Sequence, residues 1–463
     1  MGSLLKLSIQ NMLTLVSVNL MLFLDRIILA RHSLDSLNAA VTAGAICNIF
    51  IFGGIAIVGI GDVFIGQYYG AGRTQKIGEI LWQMIWFCLG LAVFFNAIAH
   101  FMTPHLYPID QALLAHTYFS WQMGFGFLPV MVAALTSFFV GTKRFGFALA
   151  AVIIASLVKL VLVFPLVFGI GGIWAGLGVR GAILATALSQ MVHIVVLGLR
   201  VSNKSNRHRF GSLRWRFKPA LFIDCIKLGF PQSVGSMLSY TAWGIVVSLL
   251  AAAGQKHLMM YTIIDSTYNL LCFATEGLQK SVLSISANLI GSGRSSETSK
   301  LFHKAVQLLV PILVLLSIPL LFFPGVVARG LDINVLTHQQ ISLACFVIWI
   351  YFGFDGLSWI LNGLLTAMGD TLFVNPISGI TSFVGVVATY MMTEVNHCRP
   401  EVTCWVSIIY VVVCCMLLYA RYQSRRRNIS ALATAYDFSP QRKNKSMPTI
   451  FSTVPSNIAV TNR

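Results

Sequence analysis

Charge is what this sequence is short of. Only 10% of its 463 residues are charged, and only 15 are acidic, against 57% hydrophobic. A soluble domain cannot cover its surface so sparsely, which leaves a polytopic helical membrane protein as the class. Other absences narrow the function. No G-x-x-x-x-G-K-[ST] stretch is present, so a phosphate-cradling loop is not the energy source. No H-E-x-x-H and no Ser/His/Asp set is visible, so the chain does not read as an enzyme. The nine cysteines show no CxxC spacing. Seven of them read as small packing residues. The first apolar run is too long for a cleavable signal peptide and is followed by no cleavage-site pattern.

What is present is hydrophobic runs. A spanning helix takes about 20 mostly apolar residues. Twelve such spans are expected, near 6–29, 38–66, 77–101, 115–141, 147–170, 179–199, 226–252, 258–286, 301–324, 339–367, 372–393 and 402–421. The net charge of +17 reads as topology rather than nucleic-acid binding. Alternate loops hold Arg73 and Lys76, Lys143 and Arg144, seven basic residues between Arg200 and Lys218, and Arg294, Lys300 and Lys304. The other loops hold little beyond Arg31, Lys256, Arg329 and Arg399. By the positive-inside rule both termini are cytoplasmic. Cys398 and Cys404 flank the last outer loop and can pair as a disulfide if that side is oxidising.

The basic break at 201–222 divides two lobes of six spans, 1–200 and 223–421, and 422–463 reads as a disordered basic cytoplasmic tail. The halves echo each other. GQYYGAGR (66–73) and ANLIGSGR (287–294) both end G-x-G-R, 221 residues apart, and FFVGTKRF around Gly141 parallels LTAMGDTLF around Gly369. The expectation is two lobes related by duplication around a central cavity.

Against the scarcity of charge, six ionisable residues fall within spans: Asp25, Asp62, Asp265, Glu276, Asp355 and Lys159. Each costs free energy in a bilayer and marks a functional candidate. A buried carboxylate can exchange a proton, Na⁺ or an organic cation. Asp355, at the middle of span ten between Gly353 and Gly356, is the leading one. Asn362 lies two turns along the same face. Asp25 stands toward the outer end of span one. Asp62 reads as interfacial. Asp265 and Glu276, eleven residues apart on span eight, share a face with Asn269. Lys159 on span five is placed to neutralise one of these acids when no substrate is bound. Tyr240, Trp243 and Trp359 are aromatic candidates for a lipophilic-cation wall.

Together, FLDRIILARHSLDSLNAA, GDVFIGQYYGAGRTQKIGEI, GVRGAILATALSQ, GFPQSV and FDGLSWILNGLLTAMGDT resemble, in order, the multidrug and toxic compound extrusion (MATE) family, in its NorM-like branch. The resemblance implies a V-shaped cavity between two six-helix lobes. It also implies exchange of Na⁺ or H⁺ for small organic cations or drugs by alternating access, with no cofactor other than the coupling ion. Asp25 matches the family's span-one aspartate and Asp355 its span-ten aspartate. The branch's span-seven glutamate falls here on Ser239, and Phe164 rather than an acid precedes Pro165. Asp265 is the candidate to stand in. The expected setting is a bacterial inner membrane, with lipids as neighbours, no nucleic acid and a monomeric state. The competing readings are a lipid or lipid-linked oligosaccharide flippase of the same superfamily, disfavoured because buried acids outnumber the buried lysine, and a non-transporting scaffold or channel.

Overall fold

The computed structural model describes residues 2–170, 174–325 and 336–435. It is all-α apart from a two-residue antiparallel pairing of Gly169–Ile170 with Trp174–Ala175. Twelve spans follow in order. The first six are span one, Gly2–His32; span two, Leu34–Gly59 continued by Gly61–Gly70; span three, Ile77–Leu106; span four, Ile109–Phe125 and Phe127–Gly141; span five, Phe145–Phe168; and span six, Val179–Val201. Span seven is Pro219–Ala253; span eight, Gln255–Leu271 and Phe273–Gly291; span nine, Thr298–Ser317; span ten, His338–Ala367; span eleven, Thr371–Tyr390; and span twelve, Val406–Ala435. Eleven of these are long and apolar enough to cross a membrane on length and composition alone. The exception is span eight, which turns at Cys272 and carries Asp265, Glu276, Gln279 and Lys280. A span this polar is tolerated only where it faces protein or a wet cavity.

The duplication is visible in the backbone. After span two, Arg73 N–H donates to Tyr68 O (3.0 Å), with Gly72 at φ 71°. After the second half of span eight, Arg294 N–H donates to Leu289 O (2.8 Å), with Gly293 at φ 75°. Each turn uses a left-handed residue that glycine adopts without strain. A second repeat ends spans four and ten, where Arg144 N–H bonds Phe139 O and Asp370 N–H bonds Leu365 O. This pairs Lys143 (φ 59°) with Gly369 (φ 79°), so the register is two residues from the Gly141–Gly369 match read off the sequence.

The lobes meet through these repeats. A Cβ at Gly70 would collide with the Asn288 carbonyl, and one at Gly291 with the Gln67 carbonyl. Asn288 is the counterpart of Gln67, and Gly291 of Gly70. The two contacts are therefore one contact repeated by two-fold pseudosymmetry, with both helix ends on the same membrane face. Gln67 Nε2 donates across the lobes to Ala367 O at 3.0 Å, and Asn288 Nδ2 to Gly141 O at 3.2 Å. Further along, Asn11 Nδ2 of span one bonds Ser281 Oγ of span eight at 2.8 Å, and Gly229 of span seven lies against Ile57 of span two.

The 201–222 segment is tied down rather than loose. It contains a short helix, Lys204–Phe210. Trp82 Nε1 and Trp86 Nε1 of span three donate to Ser212 O (2.9 Å) and Trp215 O (3.1 Å). Glu79 pairs with Lys218 at 2.7 Å. Span twelve continues to Ala435, so the first residues expected to be a tail are helical; 436–463 lie outside the described residues.

Candidate functional site: a divided set of intramembrane charges

Span five brings Lys159 against span one, where its Nζ lies 2.5 Å from Asp25 Oδ2. Lys159 is 6% exposed. In an interior that excludes water, a carboxylate and an ammonium are tolerable only when paired in this way. The lysine that the sequence placed as a neutraliser neutralises Asp25. Arg26, the next residue, leaves the helix on another face and lies within electrostatic range of Asp265 in the opposite lobe.

Asp265 does not join Asp355. Its Oδ1 accepts from Asn269 Nδ2 at 3.0 Å, and the same amide reaches the Asp265 carbonyl at 2.8 Å. Asn269 thus positions this carboxylate. The acid that acts on Asp355 is Glu276. Asp355 is 7% exposed, and its Oδ2 is buried without a hydrogen-bond partner. Tyr268 and Trp359 stand beside it, yet Trp359 Nε1 is also without a partner. A buried carboxylate oxygen and a buried N–H left unpaired side by side are expensive features to retain.

On the side of Asp355 toward His257 and the Pro400–Thr403 helix, aromatic rings line a narrow cavity of about 50 Å³. Trp243 is 5.7 Å from Tyr261 and 6.4 Å from Tyr268; Tyr268 meets Tyr351 edge-on at 5.4 Å; and the Tyr351 and Tyr410 hydroxyls are 2.5 Å apart. That volume holds one or two waters, not an organic cation. Tyr240 is different: it is 44% exposed and stacks at 4.7 Å on Phe52 of the other lobe.

Several candidates have structural roles. Asn362 Oδ1 accepts from Gln279 (3.2 Å) and Thr366 (3.3 Å), clamping span ten to span eight. Ser239 accepts from Ser382 Oγ at 3.4 Å between spans seven and eleven. Cys398 and Cys404 are free, which corrects the disulfide expectation. The short helix Pro400–Thr403 aims the Cys404 thiol at the Glu401 carbonyl, 3.2 Å away.

Asp62 is also corrected. It is not an interfacial acid: its Oδ1 is buried without a partner, in the interface between lobes. The group that acts on it is Lys280, which also acts on Glu276. Sequence reading missed Lys280. The signal was available, because Glu276 and Lys280 are four residues apart on one helix and share a face. Lys280 therefore sits between an acid of each lobe. The set of charges comprises five acids, Asp25, Asp62, Asp265, Glu276 and Asp355, against three bases, Arg26, Lys159 and Lys280. The uncompensated excess is anionic, and two of its members, Asp62 and Asp355, each keep a buried carboxylate oxygen without a partner.

A family profile described as MatE matches residues 11–164. A "Probable multidrug resistance protein NorM" of Synechocystis sp. is 21% identical over 387 residues, covering 80% of this chain and 83% of its own. The protein of the same description from Bradyrhizobium diazoefficiens is 23% identical over 378 residues, covering 79% and 81%. Among solved structures, an outward-facing multidrug resistance MATE family transporter of the MOP superfamily matches with a TM-score of 0.80 at 16% identity. That match covers 93% of this chain and 96% of that one.

Proposed function

We propose that this chain, which belongs to the MATE family and is NorM-like, is a multidrug efflux transporter of the multi-pass membrane class. It exports organic cations or drugs in exchange for H⁺ or Na⁺ by alternating access. The observation that carries the reading is Asp355: a buried carboxylate oxygen with no partner, in a lobe whose acids are not balanced by its bases. Such a group binds a proton or small cation, and its occupancy biases one conformation over another when the two differ in affinity for it. Asp25 is the second coupling candidate, its charge balanced by Lys159 until a cation or proton competes for it. Asp265, held by Asn269 and facing Arg26, is a cleft residue on this reading rather than the partner of Asp355.

The close approach of the lobes at Gly70, Gly291, Gln67 and Asn288 supports an outward-facing state for this conformation, with both termini on the side that is closed. A bacterial inner membrane is the fitting location. Substrate is expected to enter between the lobes near Tyr240, since the aromatic cavity beside Asp355 is too small for it. The flippase alternative needs a cationic cavity for pyrophosphate, and the excess acids oppose it.

Binding tests the reading. Ethidium, added to purified protein, should bind and be displaced by protons or Na⁺, and Asp355→Asn should abolish the displacement. Displacement that is unchanged in Asp355→Asn contradicts the assignment.

A further inference from the structure

We propose that the basic-side ends of spans four, five and six form a binding site for one anionic phospholipid of the cytoplasmic leaflet. Its phosphate is held by Arg144, Arg200 and Arg209, and an acyl chain lies in the groove beside them. The groove has a volume of about 330 Å³ and is walled by Phe139, Phe147, Ala150, Val196 and Leu199, with Arg200 at its edge. It opens sideways toward lipid, with Leu199 71% and Phe147 42% exposed.

The three guanidinium groups are preorganised on rings. Arg200 lies 4.1 Å from the Phe147 centroid. Arg144 and Arg209 lie 4.9 Å and 5.3 Å from the same Phe210 ring. Arg144 is further fixed by its Nη1, which donates to Asn206 Oδ1 at 2.8 Å. No carboxylate pairs with any of the three among the described residues. Burial, then the charges of Arg209 and Arg200, pull Arg144 below the usual guanidinium range. The cluster is therefore short of an anion.

The other lobe shows what completes such a cluster. Asp370 occupies the position equivalent to Arg144. Arg421 and Arg425 of span twelve both bond it, at 2.7 Å and 2.9 Å. That lobe supplies its own anion. In the first lobe the carboxylate position is itself an arginine, so the anion has to come from outside. A free phosphate would satisfy the charges and leave the apolar groove empty; a diacyl lipid satisfies both.

Native mass spectrometry from mixed micelles of phosphatidylglycerol and phosphatidylcholine tests this. The intact protein should retain one phosphatidylglycerol in preference to phosphatidylcholine. At about 1 kcal/mol per basic residue near an anionic headgroup, Arg200→Gln or Arg209→Gln should lower retention roughly fivefold. Arg216→Gln removes the same charge from the same basic segment outside the groove and should leave retention unchanged. Ala150→Trp keeps the charges, fills the groove and should also lower retention. Arg144 also holds Asn206, so the surface residue Arg200 decides the charge arm. Equal loss in Arg216→Gln and Arg200→Gln would overturn the site in favour of a diffuse basic surface. Full retention in Ala150→Trp, or displacement by millimolar inorganic phosphate, would overturn the lipid as occupant.

Discussion

Lys159 Nζ stands 2.5 Å from Asp25 Oδ2, joining span five to span one inside the first lobe. The pair makes Asp25 tolerable in the membrane and sets what must be displaced before Asp25 can take another cation. Asp25→Asn alone leaves a buried, unpaired lysine and should lower stability by about 3 kcal/mol. Asp25→Asn with Lys159→Met removes both charges and should restore most of the melting temperature without restoring transport. If the double variant melts no higher than Asp25→Asn, the pair is not the reason for the loss.

The crossed amides give a second prediction. Gln67 and Asn288 each donate to the last turn of a span in the opposite lobe. At about 1 kcal/mol per bond, Gln67→Ala with Asn288→Ala should raise the inward-open population roughly tenfold or more. Gly70→Ala should act in the same direction, because a Cβ there meets the Asn288 carbonyl. Spin-label distances between the lobe ends that carry Gly70 and Gly291 measure the shift, and distances that do not change would reject the seal.

A third prediction concerns Asp370, which lies between spans ten and eleven. Burial acts to raise its pKa, but hydrogen bonds and charge from Arg425 and Arg421 outweigh burial and hold the carboxyl below its ordinary range. A depressed carboxylate stabilises the fold above its unfolded-state value, and that stability is lost as pH falls through the folded-state value. Asp370→Asn should therefore cost about 2 kcal/mol near neutral pH, allowing for the partly exposed arginines, and the cost should shrink at strongly acid pH. A deficit that is the same at both pH values would contradict the pairing.

The lobes, the spans and the repeats were legible in the sequence because hydrophobic length and G-x-G-R spacing are local features. Asp25, Lys159 and Asp355 were legible because a charge in an apolar run stands out. What could not be read was pairing. Asp265 and Asp355 belong to neighbouring spans of one lobe, yet an amide one turn away holds Asp265, and it is the charge of Glu276 that reaches Asp355. Asp62 looked interfacial by its position near a helix end. Only the crossing of spans two and eight, set by Gly66, Gly70 and Gly291, brings it beside Lys280. Cys398 and Cys404 are near in sequence, but the intervening short helix points one thiol back to its own backbone.

The central claim is that Asp355, a buried carboxyl with one unpartnered oxygen, couples cation movement to efflux. The most direct measurement is ethidium efflux from vesicles carrying the protein, first under an imposed pH gradient and then under a Na⁺ gradient, with Asp355→Asn and Asp265→Asn alongside. The account predicts that one of the two gradients drives efflux, that Asp355→Asn abolishes the response at normal expression, and that Asp265→Asn retains it. Gradient-driven efflux that persists undiminished in Asp355→Asn would contradict it.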